Sequence, residues 1–269
     1  MIVDYHLHLR DEEERIEHTV EAARPFVEVA RARGVDEIGF TEHVYYFRQT
    51  RALWSVAYQV ERCVYDLDVY VDAVLGAKAE GLPVKLGLEV DHVPGREEDM
   101  RALFAPYPWD FVLGSVHFID GHGVDGPPRL VDELGVEEAW ERYFAALRDA
   151  AGCGLFDVLA HPDLVKIFGH RSQEAVRHYE QTAAAIADAG VAVEISSAGL
   201  RKPVGELYPD PRFLAACRDR GVPVTLASDG HVPALVGCDF DRSLELARAA
   251  GYDTITVFDA REARQEPLG

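Results

Sequence analysis

The chain has 269 residues, 48% of them hydrophobic, and carries a net charge of −20 from 47 acidic and 27 basic side chains. The length suits an α/β barrel, which uses about 250 residues, and the acidic field repels polyanions, which argues against nucleic acid as a partner. Apolar runs are short and interrupted, below the roughly 18 to 20 residues of a membrane helix, so no membrane association is expected.

The N-terminus enters a strand at once, Ile2 to His8, with no basic region and apolar stretch of the kind that marks export. A cytoplasmic protein is predicted. Successive strand side chains alternate, so Asp4, His6 and His8 are expected on one side and Val3, Tyr5 and Leu7 on the other. Thr19 to Arg33 has helical spacing and stops at Gly34, a good terminator. Strand two, Glu37 to Thr41, ends in Thr41-Glu42-His43. A helix from about Val60 to Glu80 precedes strand three, Val84 to Leu88, which delivers Glu89. A short helix near Glu97 to Phe104 is followed by strand four, Phe111 to Leu113, and then His117.

After a long loop, Phe118 to Gly135, the segment Val136 to Ala151 reads as a helix, and strand five, Asp157 to Ala160, ends at His161-Pro162-Asp163. Gln173 to Ala189 is helical, and strand six, Val191 to Ile195, runs into Gly199-Leu200-Arg201-Lys202. Helix Pro211 to Arg220 leads to strand seven, Val222 to Leu226, then Ser228-Asp229-Gly230-His231. A helix near Asp241 to Ala250 and an apolar stretch, Asp253 to Phe258, close the chain. Alternating strands and helices imply a parallel sheet with helices outside, here seven units without a linker, read as a single domain over 1–269.

The polar residues decide between an open sheet and a barrel. His8, His43, Glu89, His117, His161, Asp229 and His231 each fall at the end of a predicted strand, over six of the seven strands. Barrel enzymes draw their catalytic groups from several strand ends, which converge only if the sheet closes. His18, His92, His122, His170 and His178 fall in helices or loops and are expected to be ordinary surface residues. Imidazoles with carboxylates suit Zn, Fe or Mn rather than Ca or Mg alone. About nine ligands exceed what one ion holds, so two or three ions are expected, at a catalytic rather than a structural site. Two close ions lower the pKa of a water between them. The four cysteines show no Cys-x-x-Cys pairing and predict no disulfide.

Asp4-Tyr5-His6-Leu7-His8, Thr41-Glu42-His43, Gly87-Leu88-Glu89, Ser115-Val116-His117, His161-Pro162-Asp163 and Ser228-Asp229-Gly230-His231 resemble, in order, the motifs of the polymerase-and-histidinol-phosphatase (PHP) superfamily. Gly87 to Asp91, Asp110 to Phe118 and Gly199 to Val204 resemble its histidinol-phosphate phosphatase branch. The resemblance implies a distorted (βα)7 TIM-like barrel with three divalent transition-metal ions, Zn, Fe or Mn, at the C-terminal ends of the strands. It implies hydrolysis of L-histidinol phosphate, a small-molecule phosphate ester; other phosphate esters such as nucleotides, or a non-catalytic metal-binding module, are the competing readings.

Carried across by motif, His6, His8, Glu89 and Asp229 would hold the first ion, and Glu89, His117 and His161 the second. His43 and His231 would hold the third with Asp11, because relatives carry a histidine soon after His-x-His and this chain has none before His18. Glu89, Asp229 and His231 are expected to carry the chemistry, and an aromatic residue is expected where His92 stands. Arg201 and Lys202 are the expected phosphate anchors, with Lys166 as a weaker candidate and Arg171 better read as a surface salt bridge. Asp4 and Glu42 are expected to orient ligand histidines. Tyr45, Tyr46, Phe47, Trp54 and Phe118 are expected to give aromatic surface near the mouth.

Overall fold

A computed structural model describes residues 1–127 and 129–269, so one residue of the long loop expected over 118–135, Pro128, lies outside the described residues. Seven parallel strands form the barrel. Val3–Leu7, Glu37–Phe40 and Val84–Leu86 make one sheet in chain order; Glu89–Asp91, Leu113–Ser115, Val158–Leu159, Ala192–Ser196 and Val224–Ala227 make the other. The third strand belongs to both: its first half pairs with Glu37–Phe40 and its second half with Leu113–Ser115. Single parallel bridges, Leu7 to Gly230 and His43 to Glu89, join the two sheets. Closure through two isolated bridges instead of full ladders is the distortion of this barrel.

The first strand is also irregular. Asp4 pairs with Ile38 and Leu7 with Phe40, so it holds one extra residue, a bulge that breaks the expected strict alternation. Tyr5 therefore stacks on Phe111, ring centroids 4.9 Å apart, while His6 and His8 turn to the opposite end of the strands. Gly39 and Gly87 make room for that ring, because a Cβ at either would lie under 3 Å from Phe111. The hairpin Thr254–Asp259 and Glu262–Pro267 covers the N-terminal end of the barrel, where Lys85 meets Asp259 at 2.8 Å and Arg261 N donates to Asp110 O at 2.8 Å.

The main helices follow the apolar spacing. Val20–Ala32 starts where Thr19 accepts from Ala22 N at 3.1 Å, and Val136–Gly152 buries Trp140, Tyr143, Phe144 and Leu147. The single helix expected over about 60–80 is two, Ala57–Arg62 and Leu67–Ala79, because Asp66 caps the second by accepting from Asp68 N. Three histidines expected at the surface are buried: His178 lies flat on Phe144, His92 beside Glu97, and His18 among Phe47, Tyr65 and Tyr70. His178 falls on the same stripe of Ala175–Ala189 as Ala175, Tyr179 and Thr182, the face that packs on the aromatic core.

Candidate metal centre

Five strand ends and the turn after the seventh strand bring their side chains to one buried point. Glu89 sits at its centre. Its Oε1 lies 3.1 Å from His161 Nε2 and 3.5 Å from His117 Nε2. Its Oε2 lies 2.5 Å from His43 Nδ1, 3.4 Å from His6 Nε2 and 3.8 Å from His8 Nε2. Asp229 Oδ1 completes the ring at 3.6 Å from His8, 3.7 Å from His6 and 3.3 Å from His231 Nε2. His161 and Asp229 reach inward from positive φ, 27° and 49°, a conformation that L-residues avoid and that clusters at functional sites.

The outer atoms of these rings are held by carboxylates. His6 Nδ1 donates to Glu194 at 2.8 Å, and the other Glu194 oxygen accepts from His161 N at 2.7 Å. His117 Nδ1 donates to Asp91 at 2.8 Å. Glu42 lies 3.6 Å from His8 Nδ1 and accepts from Leu9 N at 2.6 Å. Such partners fix the tautomer and aim the free nitrogen inward. Glu194 was not singled out from the sequence, although a lone carboxylate inside the apolar strand Ala192–Ser196 was the available signal, since a buried charge needs partners.

Asp4 takes a different part from the one expected. It accepts from Ser228 N and Gly237 N, each at 2.8 Å, and from Ser228 Oγ at 2.6 Å, so it braces the turn that carries Asp229 instead of touching a ligand histidine side chain. Burial lifts its pKa to about 6 against those bonds. Burial also holds the His231 imidazole down to about 3, neutral and able to donate a lone pair. His117 is opposed by burial yet raised to about 10 by Asp91 and Glu89, and the imidazoles of His43, His6 and His117 hold Glu89 well below the usual carboxylate range despite its burial.

This donor set fits divalent metal. His6 Nε2 and His8 Nε2 are buried with no hydrogen-bond partner, a costly state that a cation relieves. Four three-residue groups have ligand atoms within 4.8 Å of one another: His6, His8 and Asp229; His6, Glu89 and His161; His43, Glu89 and His117; His8, His43 and His231.

Asp11 is not among them. Its carboxylate is held by Arg15 Nε at 2.8 Å and by two backbone N–H groups, which keeps it on the outer face of its turn. Lys166 is fully buried, paired with Asp163 and Leu207 O at 2.8 Å each, so it is not free to meet a phosphate. Arg201 hydrogen-bonds Ser228 O and lies 3.9 Å from Asp239, bracing the same turn as Asp4, while Lys202 is exposed.

Over the centre lies a cavity of about 380 Å³ lined by Arg10, His43, Tyr45, Tyr46, Tyr58, His117, Phe118, Asp125 and His231 among others. A larger one of about 600 Å³, beside Arg212 and Arg242, contains none of the donors. Tyr45, Tyr46 and Phe118 thus line the mouth as expected. Phe47 and Trp54 pack away from it, on Tyr70 and Thr50. His92 stands outside the cavity lining.

The PHP domain profile matches residues 4–198. The chain belongs to the PHP domain family. A relative in Deinococcus radiodurans named "Probable histidinol-phosphatase" is 32% identical over 255 residues, covering 93% of this chain and 94% of that one. The "Histidinol-phosphatase" of Lactococcus lactis is 23% identical over 267 residues. The crystal structure of the histidinol phosphate phosphatase from Lactococcus lactis, complexed with zinc, L-histidinol and phosphate, superposes with a TM-score of 0.76 at 22% identity over 98% of both chains. The Listeria monocytogenes structure described as a "putative histidinol phosphatase" gives 0.76 at 20% identity over 89% of this chain and 99% of that one. At these identities the two structures speak for the fold, the PHP barrel.

Proposed function

We propose that this chain is a metal-dependent histidinol-phosphatase, one PHP-type domain over residues 1–269, that hydrolyses L-histidinol phosphate to L-histidinol and phosphate. The observation that carries the reading is the Glu89 carboxylate, whose two oxygens face separate sets of imidazoles, the arrangement of a bridging ligand. The Deinococcus relative's name and the zinc, L-histidinol and phosphate of the Lactococcus structure support it.

His6, His8, Glu89 and Asp229 would hold one ion and Glu89, His117 and His161 a second; His43 and His231 face a third position, for which the expected Asp11 is not at hand. Zinc suits this set, with Fe and Mn also accommodated. Bound ions supply the charge that activates water and polarises phosphoryl oxygens. The chain's own residues do the rest. Glu194 and Asp91 hold His6 and His117 in the tautomer that presents Nε2. Tyr45, Tyr58 and Phe118 offer aromatic surface for an imidazole, and Asp125 lines the same cavity. The acidic surface is no obstacle to an anionic ester once several divalent charges sit at the mouth. Such a small soluble substrate accords with the expected cytoplasmic location.

The test is phosphate release from histidinol phosphate, nucleotides and p-nitrophenyl phosphate, before and after chelation and with Zn, Mn or Fe restored. Turnover favouring histidinol phosphate is expected. A nucleotide preferred over it would overturn the substrate, and metal binding without turnover would overturn the enzyme.

A further inference from the structure

The third position is short of ligands, and the reason is geometric. His8 lies flat on His231, ring centroids 4.2 Å apart at an interplanar angle of 3°, and is stacked on His43 at 4.4 Å. An imidazole lone pair lies in the plane of its ring, so rings stacked in parallel cannot aim at one ion. His8 already turns Nε2 toward Asp229 and Nδ1 toward Glu42. His18 faces Glu42 and is enclosed by aromatic rings, and Asp11 is held by Arg15. His43 and His231 remain as the imidazoles of this position, and the carboxylates beside them, Glu89 at 2.5 Å from His43 and Asp229 at 3.3 Å from His231, are shared with the other two positions, so the third has no carboxylate of its own where tightly held zinc takes three or four protein ligands.

Arg10 lines the same cavity as these two rings. It follows His8 by two residues, its backbone N–H donating to His8 O at 2.9 Å. Its guanidinium donates to the Tyr46 hydroxyl and lies 5.6 Å from that ring's centroid. No carboxylate pairs with it among the described residues, and its Nε is buried without a hydrogen-bond partner. Arg201 and Lys166, the cations expected to anchor phosphate, are already engaged. A cation held by a neutral phenol, with donors unspent, is suited to a bidentate oxyanion.

We propose that Arg10 receives the phosphoryl group beside His43 and His231, and that the centre accordingly holds two tightly bound ions, with the guanidinium in the role of a third positive charge. This rests on the phosphatase reading for its purpose, but its test does not need histidinol phosphate.

Zinc-loaded chain, dialysed against metal-free buffer, is analysed for metal content, and inorganic phosphate binding is followed by calorimetry for wild type, Arg10→Ala and Arg10→Lys. About two zinc ions per chain are expected in all three. Phosphate affinity is expected to fall about 10- to 100-fold in Arg10→Ala, the loss of charge-assisted hydrogen bonds, with Arg10→Lys between it and wild type because it keeps the charge and loses the fork. Three tightly held zinc ions in wild type, or wild-type phosphate affinity in Arg10→Ala, would overturn the proposal. If Arg10→Ala does not fold, Arg10→Lys decides: affinity equal to wild type sinks the bidentate role. Failure of histidinol phosphate turnover with phosphate binding intact would instead count against the substrate alone.

Discussion

The Glu194 carboxylate lies 2.8 Å from Nδ1 of His6, across 188 residues of chain, and both groups are fully buried. A strand in the second half of the barrel thereby fixes the ring that the first strand presents to the centre.

Replacing Glu194 by Gln removes the charge that holds this tautomer while keeping the volume. Zinc affinity is expected to fall about 10- to 100-fold, the usual cost of losing an outer partner of a metal-bound histidine. Competition with a chromophoric chelator measures it, with circular dichroism to show that the fold persists. Unchanged affinity would mean that the contact only satisfies a buried polar pair.

His117→Ala and Asp229→Ala each delete a donor from the centre. Phosphate release is expected to drop at least about 100-fold, more than for an outer partner, with a zinc ion lost from each chain. Full activity in either variant would refute the assigned centre.

Chelation is expected to abolish turnover and lower stability together, both restored by zinc. A ligand at 100 times its Kd stabilises by about 2.7 kcal/mol per site. Urea denaturation with and without chelator reads this, and coincident curves would show that the donors are already satisfied without metal.

Asp4 gives a pH dependence whose sign can be worked out for the metal-free chain. Burial lifts its carboxyl from 3.8 to about 6, so the folded state keeps a proton that the unfolded state has released. Its stabilising contribution is present below about pH 4 and is lost as the pH rises through 6, a difference of about 3 kcal/mol at about 1.4 kcal/mol per pH unit. Urea midpoints at pH 5 and pH 7.5 should therefore differ more in wild type than in Asp4→Asn. Equal differences would show that Asp4 does not titrate in this range.

Gly114 faces Phe156 so closely that an added Cβ would lie 2.3 Å from the ring. Gly114→Ala is expected to cost about 1 to 3 kcal/mol, as overpacking does, read from the denaturant midpoint. A neutral result would mean that the Phe156 ring moves aside freely.

The alternation of short apolar strands and amphipathic helices and the barrel were legible in the chain itself, as were the candidate donors His6, His8, His43, Glu89, His117, His161, Asp229 and His231 that the fold brings together. These are local matters: side-chain period sets the element, and each donor belongs to a short motif at a strand end. The donors' gathering around Glu89 follows from closure of the barrel, which their placement already required.

What only the tertiary structure decided concerns partners far apart in sequence. Asp11 and Lys166 looked available until Arg15 and Asp163 were seen to hold them, and Glu194 and Arg10 were unremarked until the strand and the cavity placed them. A charged side chain's role depends on whether burial removes its water and which opposite charge or donor replaces it. Neither quantity is encoded in a residue's immediate neighbours, so candidate ligands could be named along the chain, while the engagement of the other charges awaited the packed fold.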